Sequence, residues 1–307
     1  MGFVKRPAHT LEVNPFFSLL TYRAFRPHPQ DIEEPLSARF RKRKLGGSNR
    51  LLVLSVGKFH WRASVATFDE NGEPSFGEPS ESPNVTNMDG LVEWLCSFSA
   101  NHKLRYVAVG IGWGFVVSAL SGVPRHTDTE TQRWLRVEPT RLLGESASNE
   151  GTSTNALVFH PHVENSCLRF KFQAEELTKI REVCAEAGLA IVRMVCEQAQ
   201  MLEMAYAKEF DPSEIKAVML TLPSSFLFLP LESNGWHAVH YDPAIDDGAV
   251  GSLLDYAKDA LPPGGAFVYI DAGMPGMEDV VSSLRNHKPQ ALMDASQLVS
   301  FSAITLN

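Results

Sequence analysis

The chain has 307 residues, 44 % apolar and 21 % charged, enough for two ordinary globular domains or one large domain with an insertion. A formal net charge of −8 excludes nucleic acid as the main partner, because a phosphate backbone wants a basic surface. The four cysteines (Cys96, Cys167, Cys184, Cys196) include no Cys-x-x-Cys pair, so they read as small buried residues of a reducing compartment.

No apolar run approaches the ~18 residues of a membrane helix. The start, Met1-Gly2-Phe3-Val4-Lys5-Arg6, has neither the apolar stretch of a secretory signal nor a myristoylation pattern, which predicts a soluble chain. Residues 1–48 hold five prolines, the acidic patch Asp31-Ile32-Glu33-Glu34, and the basic run Arg39, Arg41, Lys42, Arg43 and Lys44 before Gly46-Gly47-Ser48. This mixture predicts a tail that is flexible or docked by short segments.

The folded part opens on an apolar strand over 51–56, a turn at Gly57-Lys58-Phe59-His60 and a return strand over 61–68. A helix follows from near Asn87, with Leu91, Trp94, Leu95 and Phe98 spaced as one buried stripe. Strands are predicted at 105–111 and 115–120 around Gly112-Trp113-Gly114. A helix over 127–143, a Ser/Gly/Asn-rich loop and two strands at 156–163 and 167–172 then read as a small insertion with its own core. The helix over 174–187 should end with Gly188 in the left-handed conformation, before a buried strand to Cys196 and a helix over 197–208. The second half repeats the plan. Strands at 216–222 and 226–231 flank a turn at Pro223-Ser224-Ser225, and Asn234-Gly235 turns into 236–241. A helix over 250–260, a strand over 266–271 and a helix over 277–286 complete it. Two halves that begin alike suggest a duplicated α/β unit with a cleft between them.

One stretch carries a resemblance: Asp128-Thr129-Glu130-Thr131-Gln132-Arg133-Trp134-Leu135, two strands, the helix ending Ala187-Gly188-Leu189, a strand, then Glu197-Gln198-Ala199-Gln200-Met201-Leu202. In order and spacing, residues from about 50 to 290 are similar to the PilM family of type IV pilus assembly. More distantly they resemble the cytoplasmic domain of the GspL family of type II secretion, and FtsA. The resemblance implies the actin-like ATPase (FtsA/Hsp70/sugar kinase) fold: two RNase H-like halves with a small inserted α+β subdomain and a reduced second half. The implied boundaries are a tail at 1–48, a first half at 49–124 and 173–208, an insertion at 125–172, and a truncated second half at 209–307. About 25 residues separate Tyr241 from Ala266, where PilM and FtsA carry a whole subdomain.

The family's nucleotide loops are altered. The first, normally Asp-x-Gly, is Ser55-Val56-Gly57; the second is Thr221-Leu222-Pro223, where Pro223 also removes a backbone donor. The adenosine turn is Asp271-Ala272-Gly273-Met274, in which Ala272 and Met274 would crowd the approach. Without carboxylates at Ser55 and Thr221 the expectation is a pseudo-ATPase with no cofactor and no catalytic residue. Two-metal nuclease chemistry is excluded by the same lack. The rival is a divergent ATPase that uses Lys58 and Asp271.

His160-Pro161-His162, His237 and His240 lack zinc spacing and read as ordinary histidines, so no metal is expected. Ser224-Ser225 has no Gly-x-Ser-x-Gly context and reads as a turn. Trp113 has two readings, a core residue under its loop or a recognition residue; Trp134 and Leu135 complete the partner-binding set. The run Arg39 to Lys44 is either a solvated linker or a contact to anionic lipid. Phe17, Leu20, Tyr22 and Arg23 lie in a segment similar to the peptide that PilM takes from PilN, which suggests tail docking or self-association, against a chance match. The resemblance thus implies a cytoplasmic scaffold at the inner face of the inner membrane. Its partner would be the cytoplasmic tail of a bitopic inner-membrane protein.

Overall fold

A computed structural model describes residues 49–70, 74–83, 85–121, 154–160, 163, 166–207, 214–222, 225–231, 240–242 and 249–294. The strands, in chain order, are β1 (Arg50–Val56), β2 (Trp61–Phe68), β3 (Pro74–Phe76), β4 (Ser80–Glu81), β5 (Tyr106–Ile111), β6 (Phe115–Ser121), β7 (Thr154–Phe159), β8 (Ser166–Phe172), β9 (Ala190–Cys196), β10 (Ile215–Leu222), β11 (Ser225–Pro230), β12 (His240–Asp242), β13 (Ala266–Asp271) and β14 (Pro289–Asp294). The helices are α1 (Met88–His102), α2 (Ala174–Glu186), α3 (Glu197–Ala207), α4 (Ala249–Ala260) and α5 (Met277–Ser283).

Two sheets share one plan. The first runs β3-β2-β1-β5-β9, with β4 also on β2; the second runs β12-β11-β10-β13-β14. In each, an antiparallel hairpin supplies the central strand, and parallel strands continue from it. Hairpins need only a short turn, whereas the parallel pairs are reached through crossovers that carry helices. The duplicated α/β plan expected from the sequence is therefore present. A third sheet, β6-β8-β7, is antiparallel.

Local signals place the helices. Asn87 caps α1 by accepting from the Gly90 N–H at 3.1 Å. Gly188 ends α2 at φ +71°, in the left-handed region expected of it. Along α1, Leu91 and Leu95 are fully buried, while Trp94 and Phe98 lie half-buried at the edge of the stripe. The Trp94 indole N–H reaches the Ser80 hydroxyl at 3.2 Å, which satisfies a polar atom at that edge.

One core spans all three sheets. Leu52, Leu54 and Val109 of the first sheet, Leu168, Phe170 and Phe172 of the third, and Val218, Leu220 and Val268 of the second share one apolar cluster. A second cluster packs α4 and α5 on the other face of the second sheet.

Several expectations need correcting. Phe115–Ser121, read with the first half, pairs with β8 in the third sheet. The inner face of that sheet belongs to the main core, so the insertion does not keep a separate one among the described residues. Ser225 is the first residue of β11 and not part of a turn. The last predicted helix stops at Ser283, a 3-10 turn covers Arg285–His287, and β14, not foreseen, follows. Cys167, Cys184 and Cys196 are buried as expected, while Cys96 is partly exposed.

Candidate functional site

In sheets of this kind ligand crevices lie beyond the carboxyl ends of the parallel strands. In the first sheet those ends carry Val56-Gly57 (β1), Ile111-Gly112 (β5) and Cys196-Glu197 (β9). In the second they carry Leu222 (β10) and Asp271 (β13). The two sets of ends meet where Gly112 and Gln198 lie against Leu222 and Ser225.

The contact is polar at its centre. Gln198, at the start of α3, donates from Nε2 to the Gly112 carbonyl at 2.8 Å and to Ser225 Oγ at 2.7 Å. Ser225 Oγ in turn donates to the same Gly112 carbonyl at 3.0 Å. Gln198 and Ser225 are both fully buried. Beside this triangle a Cβ on Gly112 would stand 3.0 Å from Glu197 Oε2 and 3.1 Å from Leu222 Cδ1. The ends are thus close-packed across the boundary between halves, with no room for a methyl group at Gly112 unless a neighbour shifts.

The residues of the three altered loops are placed as follows. Ser55 lies half-buried on β1, opposite Arg62 of β2 and Gly110 of β5. The Gly57 N–H donates to the His60 carbonyl at 3.0 Å, which closes the β1–β2 turn on itself. Lys58 is half-buried with its ammonium 5.1 Å from the ring centre of Phe59, itself 43 % exposed at the tip. Thr221 is fully buried and donates to Asp271 Oδ1 at 2.8 Å. The same Oδ1 accepts the N–H groups of Gly273 and Met274, both at 3.0 Å. Asp271 therefore ties its own turn to β10. Ala272 and Met274 do not stand in the approach as expected; both side chains are buried, one in each of the two larger cores.

Removing that carboxylate should be costly. A hydrogen bond to a charged group contributes about 1.5–3 kcal/mol, and Asp271→Ala strips the acceptor from three donors. We expect a loss of about 2–3 kcal/mol in urea unfolding. Asp271→Asn, which keeps an oxygen in place, should lose clearly less. Equal losses for the two would mean that the charge, and not the bonding geometry, holds the turn.

Trp113 sits half-buried against the main core, between Gly112 and Gly114. His160 is buried, and its Nδ1 accepts the Val163 N–H at 3.0 Å, a structural role. Among the described residues no group of three His, Cys, Asp or Glu could hold a metal ion. Trp134, Leu135, Phe17, Leu20, Tyr22, Arg23, Arg39, Arg41, Lys42, Arg43, Lys44 and Pro223 lie outside the described residues, as do His162, His237 and Ser224. The sequence reading missed Gln198 and Ser225. A polar Glu197-Gln198 pair directly behind a buried strand was the signal for the first.

No protein-family model matches the sequence, and no curated protein matches it. Solved structures do. The PilM–PilN type IV pilus biogenesis complex supplies a chain with 13 % identity and a TM-score of 0.55, covering 83 % of this chain and 97 % of that one. A Bacteroides thetaiotaomicron protein of actin-like ATPase fold and unknown function aligns at 10 % identity and TM-score 0.54, over 85 % and 97 % of the two chains. The cytoplasmic domain of EpsL, an inner-membrane component of the Vibrio cholerae type II secretion system, aligns at 12 % identity and TM-score 0.49, over 84 % and 96 %. The first two establish the fold: this chain has the actin-like ATPase fold.

Proposed function

We propose that this actin-like chain is a non-catalytic cytoplasmic adaptor of a type IV pilus or type II secretion assembly platform, a pseudo-ATPase that binds the cytoplasmic tail of an inner-membrane protein. The observation that carries the reading is the state of the strand ends where this fold takes nucleotide. Ser55 and Thr221 offer hydroxyls where Asp-x-Gly loops offer carboxylates, and Asp271 Oδ1 is engaged by three donors of its own turn. Beside them, Gly112 packs closely against Glu197 and Leu222, which supports the same reading. A pair of hydroxyls and an engaged carboxylate are poor ligands for a magnesium nucleotide, which supports the reading of a pseudo-ATPase.

The partner class rests on the fold shared with a chain of the PilM–PilN complex and on the sequence resemblance to PilM. No helix among the described residues is long and apolar enough to cross a membrane, which suits a subunit that meets the membrane through a partner. In this reading the first sheet with α1, α2 and α3, and the second sheet with α4 and α5, form the two RNase H-like halves. The third sheet marks the inserted subdomain, and Trp113, Trp134 and Leu135 contribute to the partner groove.

Any ligand that binds the native state raises its stability by mass action, by about 2.7 kcal/mol at a hundred-fold excess over Kd. Millimolar ATP with magnesium should therefore leave the melting temperature unchanged if nothing binds. A shift of several degrees that disappears on chelating magnesium would overturn the pseudo-ATPase reading in favour of the divergent ATPase.

A further inference from the structure

Gly112, Gln198 and Ser225 form a buried triangle of hydrogen bonds between the two sheets. The Gly112 carbonyl has two lone pairs, and it accepts two bonds, from Gln198 Nε2 and Ser225 Oγ. Gln198 Nε2 serves both Gly112 and Ser225, and its Oε1 lies 3.9 Å from Cys196 Sγ. The Ser225 hydroxyl accepts one bond and donates the other. Because a carbonyl only accepts, the Gly112 oxygen fixes which end of the Gln198 amide faces it.

The geometry also places the bonds where they matter. Gly112 follows β5 and Gln198 follows β9, both strands of the first sheet, while Ser225 opens β11 of the second. Two of the three bonds therefore cross between the halves. Two-lobed proteins that close on a ligand do so by hinge or shear motion along the surface between lobes. Here such motion would break both crossing bonds at once, inside a fully buried site. Stranding a buried polar group without a partner carries its whole desolvation penalty. Leu222, also buried, fills the space alongside.

We propose that Gly112, Gln198 and Ser225 form a clasp that holds the two halves together with no ligand between them, making the chain a rigid body and not a closing cleft. The clasp is independent of which partner the chain binds. It goes beyond the loss of nucleotide chemistry, since a chain can lose catalysis and still open and close.

Pulsed electron double resonance between nitroxide labels tests it in the full chain. Glu93→Cys on α1 and Lys258→Cys on α4 are exposed sites, one on each half. Cys96→Ser removes the one partly exposed native thiol among the cysteines. Cys167 and Cys184 are buried, with thiols pushed up to about 12 by burial, and Cys196 is buried and shifted the same way; none of the three should take label. The parent should give one narrow separation. Ser225→Ala removes both crossing bonds at the loss of a single oxygen, and should add a population at longer separation. Gln198→Leu should do the same, and Ser225→Ala decides the matter if that variant fails to fold. Ser64→Ala, which breaks a part-buried bond to the Gly77 carbonyl within the first half, should leave the distribution unchanged. A parent that already samples two separations overturns the clasp. So does a Ser225→Ala distribution superimposable on the parent's, or an equal broadening by Ser64→Ala.

Discussion

Phe170→Ala should cost about 3–5 kcal/mol, enough to unfold many domains of this size at physiological temperature. Phe170 is fully buried on β8, facing the main core and not a core of its own sheet. Its ring meets Phe115 edge-on, with centroids 5.6 Å apart, and Phe172 meets the same ring at 5.2 Å. Truncation therefore loses the transfer energy of a benzyl group, leaves a cavity between two sheets and breaks an aromatic cluster. Urea unfolding should show one transition at a lower midpoint with the slope unchanged. Val116→Ala on the neighbouring strand is the control. Val116 is 58 % exposed, so its loss should stay within about 0.5 kcal/mol. A Phe170→Ala protein that unfolds in two steps, with the larger one unshifted, would mean that the small sheet is a separable module.

That result turns on a point the sequence did not disclose. The alternation in 166–172 identifies a strand, and Leu168, Phe170 and Phe172 identify its apolar face. Neither says which sheet receives it. The partner of Phe170 on β6 is Val117, more than fifty residues earlier in the chain, and such pairings leave no local trace. Hairpins do leave one. The β1–β2 and β10–β11 pairs were legible because a strand, a short turn and a return strand are neighbours in sequence. Asn87 and Gly188 were legible because caps act within a few residues.

The candidate site divides in the same way. The absence of acids at Ser55 and Thr221 could be read from the letters alone. What those positions do instead could not: Thr221 bonds Asp271 across β10 and β13, fifty residues apart. Gln198 and Ser225 carry no motif, and two serines after a proline read most simply as a turn. Their burial follows from the meeting of two sheets, a property of the assembled fold.

Gly112→Val should be as damaging as the loss of Phe170, by the opposite route. Gly112 does not have a left-handed φ, so the position wants glycine for space and not for backbone freedom. A Cβ there would meet Glu197 Oε2 at 3.0 Å, Leu222 Cδ1 at 3.1 Å and the Val56 carbonyl at 3.5 Å. The first two are the far ends of side chains, which could give way to a single methyl if they had room. Both are buried, Glu197 to 1 % and Leu222 to 3 % exposure, so they have little. Overpacking of this kind costs about 1–3 kcal/mol. Gly112→Ala should fall in the lower part of that range and Gly112→Val, with two further methyl groups, at about 3 kcal/mol or beyond. Leu222→Ala separates the causes. Alone it should destabilise by cavity formation, about 2–5 kcal/mol, yet combined with Gly112→Val it should cost less than the sum, because the added methyls fill the space vacated. Strict additivity of the two would show that valine harms the strand end itself, and the close approach of the two halves at Gly112 would not be what selects glycine.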